Sequence, residues 1–466
     1  MGEAYLDWQK KSGGIKLNDV IEEYKYVAAG KQIKAGDLVN YINGIAGETD
    51  YGESVDTTIS TAQYAGETIY AILLDDNRVF IAHSYGENRH LYGVVCTING
   101  ATITYGTDTQ LSTTSYTGSA ISAVALDKNR VFIAFSYGSS HVLYSVVCTI
   151  DGTTITKGTL KQLDSTTYSG SQASSVLLPS GNVFVSHSYK SSYNLYGIVC
   201  TISDTTITAG TNTQLASGAA TTMSQKSVLL PNGKVFTAYH YGGHNGNDRY
   251  LYGTISTVSG TSITTGTATK IVGTQNSGYD INPVVLDENH IFIAHTTNSA
   301  LYSVVCTVSG TTITVGTDIQ LKTEVSLPKS VILLRNGNIL IVYGYSTNYY
   351  LYGMILSVIE TTMTIVSNTQ LSTTQLAGYR SSTLMLNNET LFMAHSYTSY
   401  YLYAQIFCTD TNSTITNNIV VPDYEEQITP AIEPPFNAVA LSSGVGGTET
   451  EHNEQVKIAR PNVGVI

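Results

Sequence analysis

The chain has 466 residues, 42% of them hydrophobic and only 12% charged, with 34 Tyr, 41 Gly and a formal net charge of −12. A typical soluble protein is about a quarter charged, and a nucleic-acid binder carries a basic patch, so this balance argues against a nucleic-acid partner. No apolar run approaches the roughly 18 residues of a membrane helix, which argues against a membrane partner as well.

Met1 to Lys11 lacks the basic-then-apolar order of a signal peptide, so synthesis in a cytoplasm is expected. The first 56 residues hold Val27-Ala28-Ala29-Gly30 and then Ile33-Lys34-Ala35-Gly36-Asp37-Leu38-Val39-Asn40. Next, the segment from Thr57 to Gly66 matches Thr109 to Gly118, which ends the first copy of a repeat. A fourth-strand-like piece therefore precedes the first copy. It is expected to pair onto the last one, whose own final segment, Ser413 to Val421, fits the repeat weakly.

The repeat organises residues 57–421. A Leu-Tyr pair recurs with its Tyr at 92, 144, 196, 252, 302, 352 and 403, in step with an apolar marker at Phe80, Phe132, Phe184, Phe236, Phe292, Leu340 and Phe392. Each copy reads as four short strands. In the second copy these are Ala120 to Leu126, Arg130 to Ser136, Val142 to Ile150 and Thr153 to Leu163, with Asp151-Gly152 supplying the positive φ of a two-residue hairpin. The second strand is apolar on both faces, as a sheet buried between two others requires. Repeated four-stranded units that bury one another predict an all-β fold, a seven-bladed β-propeller, with a small β-barrel domain built from residues 1–56 and 422–466. Cys96, Cys148, Cys200 and Cys306 occupy one repeated position and Cys408 a neighbouring one, so all five read as buried free thiols.

After the repeats come Phe436-Asn437-Ala438-Val439-Ala440-Leu441, then Gly444 to Glu454 and Val456-Lys457-Ile458-Ala459. Together with the Ile33 to Asn40 stretch, these resemble the small β-barrel modules of tailed-phage virion proteins, above all head-decoration proteins. Asn437 stands where that family usually has Gly, and Thr448-Glu449-Thr450-Glu451 lengthens its usual acidic segment. The resemblance implies a structural protein at the virion surface, made in the bacterial host cytoplasm. Its partners would be other virion proteins, foremost the major capsid protein, and a homotrimer is a further implication. A tail-fibre or baseplate receptor-binding protein is the alternative, because similar stretches occur there.

No catalytic, metal or cofactor site is expected. The only Trp, Trp8, lies outside the ring, so the Asp boxes of sialidase-type propellers are missing, and the acids sit at turns such as Asp75-Asp76, Asp127 and Asp287-Glu288. A glycan-cleaving enzyme would need two carboxylates facing across a cleft. Arg78 and Arg130 read as turn residues. His83, His187, His295 and His395 share one position with Phe135, Tyr239 and Tyr343, which reads as packing rather than metal ligation. What remains is the end of the ring bearing the loops between second and third strands, rich in Tyr, Ser, Gly, Asn and His, a composition that suits binding of surface glycans. Its candidate contacts are Tyr85, His90, Tyr137, Tyr189, Tyr193, Tyr241, His244, Tyr250, Tyr345, Tyr349, Tyr397 and Tyr400.

Overall fold

A computed structural model describes the chain except residues 1–19, 28–31, 34–37, 189–193, 218–223, 243–248, 346–348, 373, 375–379, 387–389, 398–399, 410–413, 431–437, 441–443, 446–454 and 462–466. Among the described residues all regular structure is β-strand. The chain divides into two units, Tyr51–Ile419 and Met1–Asp50 with Val420–Ile466.

The larger unit is the seven-bladed propeller. Blade one runs through Ile69–Asp75, Arg78–Tyr85 and His90–Asn99, antiparallel throughout. Its outer strand comes in two pieces, Thr102–Tyr105 and Thr109–Gln110, both paired with the third strand. The break falls at Gly106, whose amide donates to Val95 O at 2.9 Å; a Cβ there would lie 2.6 Å from Thr153 O of the next blade. Only glycine permits so close an approach, and Gly158, Gly210, Gly266 and Gly316 make the same amide bond in the following blades.

The innermost strands of the other blades are Ile121–Asp127, Ala173–Leu177, Gln225–Leu229, Ser277–Val285, the second half of Ile319–Leu333, and Ser381–Met385. They pack side by side in that order, and the last meets the first. Blades five and six share Ile319–Leu333, which is outer in one and innermost in the other.

Closure follows the expectation drawn from the matching segments. Blade seven completes its outer edge with Ile415–Thr416 and with Thr57–Ser60 from before blade one, in the register Leu402↔Ser60 and Tyr403↔Thr58.

The core lies between the blades. Val79, Phe80, Ile81 and Ala82 are all 0% exposed, because both faces of the second strand are covered. Phe80 and Ala82 pack with Val131, Ile133 and Phe135 of blade two, and Phe132 and Ala134 pack with Val183 and Val185 of blade three. Each Val, Ile or Phe side chain among them contributes about 1.5–3 kcal/mol when fully buried. At the turn end, Arg78 bonds Asp75 at 2.7 Å and donates to Gly152 O and Lys128 O of blade two at 2.9 and 3.0 Å. Arg130 likewise reaches Asp204 O of blade three at 3.1 Å. Read from sequence as turn residues, both are the first strand residues after the turn, and they clamp one blade to the next.

In the smaller unit, Val20–Val27, Asn418–Pro430, Leu38–Glu53, Ala438–Ala440 and Gln455–Pro461 close into a five-stranded barrel in that order. Val20–Val27 runs antiparallel to Gln455–Pro461 and parallel to Asn418–Pro430. Residues 34–37, 436–437 and 446–454, which carry much of the resemblance to decoration modules, lie outside the described residues.

All five cysteines are buried and free, and burial pushes the Cys96, Cys148, Cys200 and Cys306 thiols up to about 12. Since the thiolate is the reactive form, the folded protein is expected to leave a thiol-specific disulfide reagent unconsumed at neutral pH and to consume five equivalents once unfolded in denaturant. Rapid labelling of the folded chain would contradict the buried column.

Candidate functional site

Each innermost strand starts beside the end of a second strand, as in Ile69↔His83, so the second-to-third hairpins and the connections between blades share one end of the ring. There the loops are tied together in a repeated way. Tyr116 N donates to Asn88 O at 2.7 Å, Gly118 N to Arg89 O at 2.7 Å, and Leu91 N to Thr117 Oγ1 at 2.9 Å. Blade two repeats all three bonds, through Tyr168 N, Gly170 N and Leu143 N, at 2.7 to 2.9 Å.

This bracing holds several aromatic residues in the left-handed region: Tyr64 at φ 63°, Tyr116 at 64°, Tyr168 at 67°, His141 at 48° and Tyr400 at 55°. A non-glycine residue there costs on the order of 1–3 kcal/mol and persists only where its surroundings fix it. Their rings then meet. His141 lies between Tyr116 and Tyr168, at 6.0 and 5.7 Å between centroids, and Tyr64 stacks on Tyr400 at 5.7 Å. Tyr116 is 37% exposed, which makes it the most open ring of the set.

The tyrosines singled out from sequence take a different position. Tyr85, Tyr137, Tyr241 and Tyr345 end the second strands, Tyr397 directly follows one, and all five are half-buried against the Tyr of the Leu-Tyr pair. Tyr85 stacks on Tyr92 and Tyr137 on Tyr144, both at 4.1 Å; Tyr241 meets Tyr252 and Tyr397 meets Tyr403 at 4.5 Å. Tyr345 meets Tyr352 edge-on at 5.2 Å. Tyr250 lies under Lys270, whose Nζ is 3.8 Å from the ring centroid, and His90 Nδ1 accepts from Gln110 Nε2 at 3.0 Å. Tyr349 and Tyr400 are left-handed hairpin residues. Tyr189, Tyr193 and His244 lie outside the described residues. Tyr64, Tyr116, Tyr168 and His141 were missed as a set, although the Tyr-x-Gly repeat that revealed ring closure contains the first three.

The histidine column is polar pairing as well as packing. His83, His187, His295 and His395, at most 1% exposed, each place Nε2 2.9 to 3.0 Å from Asp108, Asn212, Asp318 and Asp56. In blade six the position is Tyr343, which donates to Asn368 at 2.8 Å; in blade two it is Phe135, in one apolar cluster with Leu160. In these six blades the two positions vary together, polar with polar and apolar with apolar. Blade four departs from the pattern, since the buried hydroxyl of Tyr239 at the histidine position has no hydrogen-bond partner among the described residues and Ala268 stands at the other position. Asp56 precedes blade one and serves a histidine of blade seven, so closure extends to side chains.

At the axis, the starts of the innermost strands surround a cavity of about 530 Å3. Lys226, Lys329 and Arg380 line it with Glu67, Asp280 and Asn282. Burial pushes the Lys226 ammonium down to about 8, with Asp280 opposing the shift and Lys329 adding to it. Lys329 is also lowered, chiefly by burial. No reading of the sequence had singled out these residues.

No protein-family profile and no curated sequence matches the chain. Solved structures share its ring. A Lactobacillus plantarum protein is 12% identical at a TM-score of 0.52, covering 76% of this chain and 98% of its own. A Bacteroides uniformis protein named as a "putative 6-phosphogluconolactonase" is 11% identical at 0.52, covering 76% and 100%. A Bacteroides fragilis protein of the same name is 12% identical at 0.50, covering 74% and 94%. At these identities the likeness extends to the propeller fold alone.

Two outcomes follow from the loop face. A Cβ on Gly118 would sit 2.8 Å from His90 O and from Ser84 Cα, so Gly118→Ala is expected to cost about 1–3 kcal/mol in denaturant unfolding, while Gly273→Ala, with nothing within 4 Å, is silent. His83→Phe strands a buried-side carboxylate oxygen of Asp108 and is expected to cost about 1–3 kcal/mol. Adding Asp108→Leu, the blade-two pairing, is expected to recover most of it, and additive losses in this cycle would refute the paired column.

Proposed function

We propose that this chain is a binding protein that takes carbohydrate on the loop face of its propeller and is held by its small barrel at the surface of a tailed-phage head. The observation that carries the first half is the set Tyr64, Tyr116, Tyr168, His141 and Tyr400, kept in left-handed conformations by repeated loop bonds. Rings fixed in advance lose little freedom on contact, and the Ser, Thr and Asn around them supply adaptable donors and acceptors. Sugars match that mixture, with apolar faces for the rings and hydroxyls for the polar groups.

Binding is favoured over glycoside cleavage by how the acids at this end are engaged. Asp56, Asp108 and Asp318 each bond a buried histidine, Glu67 pairs with Arg89 at 2.6 Å, and Asp280 lies 3.6 Å from Lys329 Nζ. A cleaving pair would instead hold two carboxyl groups across an open cleft. The particle-surface location, with the major capsid protein as partner, is supported by the resemblance of the chain ends to decoration modules.

A glycan array read with the full chain and with the triple variant Tyr64→Asn, Tyr116→Asn, Tyr168→Asn tests the loop face, since Asn tolerates positive φ. Stacking contributes about 0.5–1.5 kcal/mol per ring, so at least about ten-fold weaker binding is expected with unchanged melting. Undiminished binding by the triple variant would sink the assignment. Gold-labelled antibody against the propeller is expected on heads of purified particles, and label confined to the tail tip would move the protein there.

A further inference from the structure

The axial cavity differs in character from the loops around it. Three cations, Lys226 of blade four, Lys329 of blade six and Arg380 of blade seven, line it from separate blades. Against them stand Asp280 and Glu67, and Glu67 already bonds Arg89 outside the cavity. Asp280 pairs with Lys329, so among the described residues no carboxylate pairs with Lys226, at the centre of a protein whose net charge is −12. Lys329 is only 9% exposed, and Lys226 donates to the neutral Asn282 Oδ1. Cations drawn from water without full compensation are costly.

The backbone is shaped around this cluster. Elsewhere in the ring a serine of one innermost strand accepts the amide of the next strand: Ser122 from Ser175, Ser174 from Ser227, Ser330 from Thr383, and Ser382 from Ala71, at 2.8 to 3.0 Å. Lys226 replaces that serine and has no lone pair to offer. The strand facing it carries Pro283 at the matching position, which has no amide to satisfy. Near this cavity the register of the innermost strands shifts in blades five and six, between Ser277 and Asn282 and between Pro328 and Ser330. Those bulges carry Asp280, at φ 46°, and Lys329 to the rim. Bulges beside a cavity commonly re-aim side chains into it.

We infer that the axial pocket is an anion site that takes the carboxylate of an acidic sugar. Arg380 offers a planar fork suited to a carboxylate, and Lys226 and Lys329 add point charges that need no fixed angle. Gln172, Gln225, Ser122 and Ser381 on the same wall match sugar hydroxyls. The cavity volume falls in the range of about 300–1,000 Å3 usual for small-ligand sites. The site is separate from the rim rings, so it stands or falls independently of the loop-face reading.

Titration calorimetry on the full chain with D-glucuronate, D-glucose and inorganic phosphate tests it. Glucuronate is expected to bind at least ten-fold more tightly than glucose and more tightly than phosphate. Lys226→Met is expected to weaken glucuronate at least ten-fold, and the rim variant Tyr116→Asn to leave it unchanged. Arg380→Gln, checked by melting, carries the same expectation if Lys226→Met does not fold. Equal or absent binding of glucuronate and glucose, phosphate binding as well as glucuronate, or full affinity in a folded axial variant would each overturn the site.

Discussion

Seven sheets that meet at an axis each bring an unpaired edge strand to the centre, and satisfying those edges is the constraint on which the propeller depends. An open edge leaves backbone amides and carbonyls without partners. Here side chains of the preceding blade answer them. Serine hydroxyls at one repeated column accept amides of the next innermost strand, and Ser224 does the same for Ile281 N one step earlier. Where the column changes, the partner changes too. Tyr70 bonds Ser122, and Asn282 donates to Pro328 O. The result is a polar belt around an axis that an apolar core would have filled, and the axial cavity is its consequence.

The two ends of the ring solve different problems. At the turn end, tight hairpins and arginines spanning adjacent blades leave little to vary. At the loop end, hydroxyl and amide bonds repeated from blade to blade fix the connections, so variation is confined to side chains projecting from a rigid frame. A surface built this way can change its ligand without changing its fold.

Much of the fold was legible because each blade repeats the same physical problem. The Leu-Tyr and Phe columns, the hairpin glycines and the apolar second strand mark strands and core, and the match of Thr57 to Gly66 with Thr109 to Gly118 marks closure, because these depend on local pattern. The site was less legible. Half-buried tyrosines such as Tyr85 and Tyr137 look like contacts in a loop, yet each ring lies on the Tyr of the Leu-Tyr pair in the next strand of the same hairpin. The histidine column looks like interchangeable packing until Asp108, Asn212, Asp318 and Asp56 are seen opposite it. Their pairing spans the break in the outer strand, and for Asp56 the whole ring.

By itself the sequence determined the number of blades, the continuous apolar run that buries each second strand, and the segment that closes the circle, since a period of about 50 residues with hairpin turns admits little else. Only the tertiary structure decided which rings face each other and which charges share the axis. Lys226, Asp280, Lys329 and Arg380 lie in four separate blades, and nothing local links them. They become one site because ring closure brings the starts of seven innermost strands together, a relation that exists only after the chain has folded.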